Sequence, residues 1–236
     1  MAGNPSPPNI GLLNEGPLHA ALKSWYAEPG DRFEVRVKGF VVDIVRDDLL
    51  LEIQTGSIWP LKHKLRTLSP SHRIRLVYPI AQEKRIARLA ADGTTETARR
   101  SPRKGRVEDL FWAIVGIPAL LSHPNVSFEV LMIREEEARH FVGKKRRRRS
   151  KGWEVAERRL VAVVERRVFD RPSDWLSLVP PELSLFTTRD LAEALGLRVE
   201  LAQRMAYCLR HMSAIELIGK RGRANLYSVD AARRLR

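Results

Sequence analysis

Apolar side chains at Leu18, Leu22 and Trp25 recur at helical spacing after Asn14, a residue suited to cap a helix that runs to about Tyr26. The intervening Glu15, His19 and Lys23 fall on the side expected to face solvent, and Glu28-Pro29-Gly30-Asp31 ends the helix. The period then changes to two. Phe33, Val35 and Val37 alternate with Glu34, Arg36 and Lys38, and a turn at Lys38-Gly39 leads into a second and third strand within Phe40 to Gln54, with a tight turn at Asp47-Asp48. Ile58, Leu61, Leu65 and Leu68 return to helical spacing, separated by Lys62, His63, Lys64 and Arg66. Arg73 to Ile80 reads as a buried strand that Pro79 should end. The predicted order over the first 80 residues is αβββαβ.

The remainder is less regular. Ile86 to Arg106 predicts a short strand, a turn at Asp92-Gly93 and a basic loop, and Val107 to Leu121 predicts an apolar helix interrupted near Gly116 and Pro118. Val126 to Arg134 reads as a strand, and Trp153 to Val168 as helix or strand. Asp170-Arg171-Pro172-Ser173 has the composition of a domain boundary. Beyond it, Thr187 and Asp190 form a capping-box pattern for a helix Thr188 to Leu195 that Gly196 stops. Glu200 to Met212 predicts a second helix, and Gly219-Lys220-Arg221-Gly222-Arg223 forms the tip of a hairpin between two short strands. This pattern resembles a winged helix-turn-helix. The expected organisation is an extended or disordered segment 1–11, a domain 12–170 with its core at 12–80 and a basic hairpin or loop at 143–152, and a small C-terminal domain 171–236.

Composition narrows the partners. The 236 residues carry 42 Lys and Arg against 28 Asp and Glu, a formal net charge of +14, and such a balance favours a polyanionic partner, nucleic acid before a membrane surface. No stretch approaches the roughly 18 to 20 apolar residues of a membrane span, so the expected compartment is the cytoplasm and no membrane partner is expected. A single cysteine, Cys208, excludes an internal disulfide framework and a Cys-rich zinc site. His19, His63 and His72 lack metal-ligand spacing and are expected at the surface.

Two acidic residues break the apolar second and third strands. A turn at Asp47-Asp48 places Asp43 directly opposite Glu52, where Cβ atoms lie roughly 5 Å apart and like charges destabilise. Gln54 shares the face of Glu52. A hard divalent cation, Mg²⁺ or Mn²⁺, offsets the repulsion between two such carboxylates and takes oxygen ligands. The plain alternative is a solvated pair on an exposed hairpin face, with Glu15 serving the helix dipole and Lys62 and Lys64 facing water.

The order αβββαβ, with Glu15, Asp43 and Glu52-Ile53-Gln54 at these places, resembles the core of the PD-(D/E)xK nuclease superfamily. The resemblance implies an α/β (α+β) fold of restriction-endonuclease type with extra strands and helices, a C-terminal winged helix and metal-dependent hydrolysis of DNA. It implies metal ligation by Asp43, Glu52 and the Ile53 carbonyl, with Glu15 completing the site. Gln54 stands where that family usually carries lysine, which makes Lys62 or Lys64 on the following helix the substitute. A homodimer is a further expectation from the resemblance. DNA contacts are expected from Gln203, Arg204, Tyr207 and Arg210 on the second C-terminal helix, from Lys220, Arg221 and Arg223 at the hairpin tip, and from the run that begins Lys144, Lys145, Arg146 and Arg147. The other reading of the missing lysine is a DNA-binding regulator or structure sensor without catalysis.

Overall fold

The computed structural model describes residues 16–143 and 152–229. Helix α1 (Pro17–Tyr26) precedes the meander β1 (Arg32–Val37), β2 (Phe40–Arg46) and β3 (Leu49–Ile53), and α2 (Leu61–Leu68) crosses over to β4 (Arg73–Leu89). Strand β5 (Thr95–Arg100) and the short helices α3 (Leu110–Ile114) and α4 (Pro118–Leu121) follow, then the long strands β6 (Val126–Phe141) and β7 (Trp153–Phe169). The chain closes with α5 (Pro172–Trp175), β8 (Leu185–Phe186), α6 (Thr188–Leu195), α7 (Val199–His211), β9 (Glu216–Arg221) and β10 (Ala224–Ser228). The architecture is mixed α and β, and the order αβββαβ expected for the first 80 residues is present.

The large sheet runs β1-β2-β3-β4-β6-β7, with β5 added beside β4. Its spine is the parallel pair β4 and β6, aligned from Ile74 with Val126 to Arg88 with Arg139. On its other edge β4 pairs with β3 as far as Val77 and with β5 only from Arg85. Pro79 therefore does not end the strand. It sits in the gap between those partners, where its missing N–H costs no ladder bond. The basic loop after β5 meets this gap: Ser101 donates its amide to the Lys84 carbonyl at 2.7 Å and Gly105 to that of Ala81 at 3.0 Å.

Strand β6 continues past the expected end at Arg134, through a charged run whose partners lie across the sheet. Glu135 pairs with Lys84 at 2.8 Å and with Arg158, and Glu137 with Lys84 at 2.6 Å. The helix expected at Val107 to Leu121 is broken between Ile114 and Pro118, with Pro118 opening α4 where a missing N–H is harmless.

The half of the sheet nearest the helices is covered on both faces. On one, Leu18, Leu22 and Tyr26 of α1 pack on Ile44, Leu51, Ile53, Val77, Leu131 and Ile133. On the other, α2, α3, α4 and the C-terminal helices share a single apolar cluster that includes Leu65, Phe111, Phe128, Trp175, Phe186 and Met205. The core thus runs unbroken past residue 171. Trp175 ties the two parts together, stacked on Phe169 at 4.3 Å between ring centroids and 5.9 Å from Phe128. In the C-terminal part, Thr187 and Asp190 cap α6 reciprocally, Gly196 ends it at φ +60°, and β8-β10-β9 form a three-stranded sheet. Trp175→Ala empties the junction and should lower the unfolding free energy by about 3–5 kcal/mol in urea titrations; a loss under about 1 kcal/mol would show that the two parts are held together elsewhere.

Candidate active site

Antiparallel pairing aligns Arg46 with Leu49, Val45 with Leu50 and Ile44 with Leu51, as a turn at Asp47-Asp48 demands. Asp47 adopts the left-handed φ of +49° that such a turn requires. One step further on, Asp43 falls beside Glu52. Here its carboxylate takes over from the backbone ladder, with Oδ2 accepting the Ile53 amide at 2.8 Å.

Helices on opposite faces of the sheet both reach this strand end. From α1, His19 Nε2 lies 3.3 Å from Asp43 Oδ2 and 2.9 Å from the Ile53 carbonyl oxygen. From α2, the Lys64 ammonium donates to Glu52 Oε2 and to the Val41 carbonyl. Lys64 is buried rather than solvated, and of the two candidate lysines it is the one that reaches the acidic pair; Lys62 lies over the ring of Trp59 at 4.5 Å.

The polar stripe of α1 does not face solvent as its pattern suggested. Lys23 is 1% exposed and donates to Glu34 at 2.8 Å, while His19 turns to Asp43. The cause lies in the sheet. Pairing of Phe33 with Ile44 and Val35 with Val42 leaves Glu34 opposite Asp43, so two carboxylates on neighbouring strands draw the cationic face of the helix onto them. That register was readable from the turn at Lys38-Gly39, which sets Glu34 against Asp43; the cations come from the helix that precedes the two strands. Glu15 lies outside the described residues, as do Lys144, Lys145, Arg146 and Arg147.

Burial sets the electrostatics. Desolvation, reinforced by the Asp43 charge and opposed by Lys64, pushes the Glu52 carboxyl up to about 7. Desolvation also acts on Asp43, but the His19 hydrogen bond and charge, the Ile53 amide and Lys64 outweigh it and hold that carboxyl below its ordinary range. The two titrate as a pair, one acid easily ionised and one reluctant. Gln54 Nε2 donates to the Ser57 carbonyl at 2.6 Å, which fastens the loop after β3. Among the described residues no group of three or more His, Cys, Asp or Glu side chains is arranged to hold a metal ion. The oxygen donors at this strand end are two carboxylates and the Ile53 carbonyl, each already partnered: Glu52 to Lys64, Asp43 to His19 and the Ile53 amide, and the carbonyl to His19. Oxygen is the donor type that a hard cation prefers.

A second set of buried charges escaped the sequence reading. Glu129 is fully buried in β6, accepting from Tyr26 Oη at 2.6 Å and Arg166 Nε at 2.6 Å. Burial and the neighbouring Glu129 push the Tyr26 phenol up, so it remains a neutral donor. A glutamate inside the apolar run Val126 to Ile133 was the signal.

Residues 16–170 match the family model described as Domain of unknown function (DUF8091). The chain belongs to that family. The family region holds α1, the whole large sheet and the acidic site, and ends just before Pro172. A Treponema pallidum (strain Nichols) protein, "Uncharacterized protein", is 31% identical over 224 residues, covering 92% of this chain and 86% of its own length, so the similarity extends beyond the family region into the C-terminal part. No solved structure matches.

The residues expected to contact DNA are distributed unevenly. Gln203, Tyr207 and Arg210 are exposed on α7, with the Tyr207 ring 4.4 Å from that of His211. Arg204 instead lies over Trp112 at 4.6 Å and 3.5 Å from Glu200. At the hairpin tip Lys220 and Arg223 are exposed, and Arg221 donates to Asp190 at 2.9 Å.

Because Glu52 binds its proton more tightly in the folded chain, folding takes up protons between about 4.5 and about 7, and the stability it lends is lost as pH rises through that window. Glu52→Gln removes this dependence. The unfolding free energy of the variant relative to the parent should therefore rise across that window and level off above it; a difference independent of pH in chemical denaturation would refute the assignment.

Proposed function

We propose that the protein is a metal-dependent DNA nuclease with a restriction-endonuclease-like core and a C-terminal winged helix that holds the DNA. The observation that carries this reading is the meeting of Asp43, Glu52, the Ile53 carbonyl and the Lys64 ammonium at one strand end. The net charge of +14 supports a polyanionic substrate. Asp43, Glu52 and the Ile53 carbonyl would hold Mg²⁺ or Mn²⁺, which when bound lowers the pKa of a coordinated water. Lys64 then supplies the fixed positive charge that Gln54 lacks, placed to stabilise negative charge on a phosphate. His19 stands where an α1 residue faces the site and orients Asp43 through Nε2. Gln54 positions the loop that follows β3.

A second reading, a DNA-binding regulator without catalysis, draws on the same contacts, since Lys64 and His19 already partner the two carboxylates. Cleavage separates the two. In Mg²⁺ or Mn²⁺ the protein should cut supercoiled, branched or single-stranded DNA and EDTA should stop it, while Asp43→Ala should lower the rate by about 10²-fold or more with DNA affinity kept within a few-fold. Tight binding with no metal-dependent cutting of any form would leave the regulator reading.

A further inference from the structure

A cleft lies away from the acidic pair, at the gap in β4. With a volume of about 1030 Å³, it opens between the sheet and the start of α7, lined by seven basic side chains against two carboxylates. Its charges differ in availability. On the floor, Lys84 and Arg158 are committed to the buried Glu135, and Arg139 to Glu137. At the rim, Lys104 and Arg198 are exposed and make no ion pair among the described residues. The rim therefore presents uncompensated positive charge over a neutralised floor.

The walls are fixed before any ligand arrives. Gly105 packs so close to β4 that a Cβ there would lie 2.4 Å from the Ala81 carbonyl oxygen, which pins the loop bearing Arg103 and Lys104. Arg106 Nη1 donates to the Leu195 carbonyl at 2.8 Å, tying that loop to the end of α6, three residues before the rim at Arg198. Half-buried Tyr78 and Trp112 add aromatic surface to the lining. The cleft also leads toward the acidic site: Arg158 Nη1 donates from its floor to the Thr55 carbonyl at 2.9 Å, three residues after Glu52.

We propose that this cleft binds a short stretch of single-stranded DNA, its phosphates against Lys104 and Arg198 and its bases toward Tyr78 and Trp112. The proposal rests on the reading of the chain as a DNA-binding nuclease and specifies its substrate as DNA with an unpaired segment. Size decides against a duplex. Pockets of about 300–1,000 Å³ enclose drug-sized ligands, so this one accommodates on the order of two or three nucleotides, and a basic groove with aromatic faces is the chemistry that holds a single strand without regard to sequence.

Fluorescence anisotropy in EDTA tests it, with a labelled oligo-dT, a blunt duplex, and the double variant Lys104→Gln, Arg198→Gln in the full chain. Both positions are exposed, so the fold should survive, and matching circular dichroism with the parent verifies this. The variant should bind the single strand about tenfold or more weakly, its log-log salt slope reduced by about 1.4 for two lost phosphate contacts, with duplex affinity within about twofold. Unchanged single-strand binding, or an equal loss on the duplex, overturns the proposal. Since the assay reads binding without metal, it can fail while cleavage at Asp43 stands, and the reverse.

Discussion

Two carboxylates held side by side at the end of a buried strand must be neutralised, and much of the first half of the molecule is arranged around that requirement. Asp43 and Glu52 come together because a tight turn at Asp47 fixes the register of β2 on β3. Their neutralisation draws in His19 from one face of the sheet and Lys64 from the other. Breaking a buried charge pair by removing one partner typically costs about 3–5 kcal/mol, whereas an apolar replacement of the whole pair is often neutral. Stability alone therefore gives no reason to keep such a cluster. A polar site at the junction of two helices and three strands is better understood through the chemistry it allows.

The same logic recurs along the spine of the sheet. Strands β4 and β6 run side by side for most of their length, and where their sequence turns charged the acids of β6 find bases on β4 and β7. The far half of the sheet thus projects beyond the apolar core without leaving its glutamates unpaired. The interruption on the other edge of β4, at Pro79, is what opens the cleft, and the basic loop that returns to that edge supplies its wall. A proline that marks the end of a strand in sequence marks a cleft in space.

Local signals were legible where a period or a cap determined them. The αβββαβ order, the hairpin register at Asp47-Asp48 and the reciprocal cap at Thr187 and Asp190 each follow from a few neighbouring residues. What escaped depends on partners distant in sequence. Nothing near Glu135 announces that Arg158 and Lys84 will flank it, so the strand was expected to end at Arg134. The stripe His19 and Lys23 read as solvent-facing because a polar face usually is, and only the opposition of Glu34 and Asp43 turns it inward. Likewise the burial of Lys64 among the basic residues of α2 depends on Glu52, in the strand that precedes the helix.

We propose that Asp43, Glu52 and the Ile53 carbonyl form a divalent-cation site rather than a purely structural ion cluster. Titration of the protein with Mn²⁺, followed by the loss of the free-ion electron paramagnetic resonance signal, tests it without reference to any substrate. The parent chain should take up Mn²⁺, with Mg²⁺ competing and Asp43→Asn abolishing the uptake. Absence of uptake by the parent, or equal uptake by the variant, would contradict it.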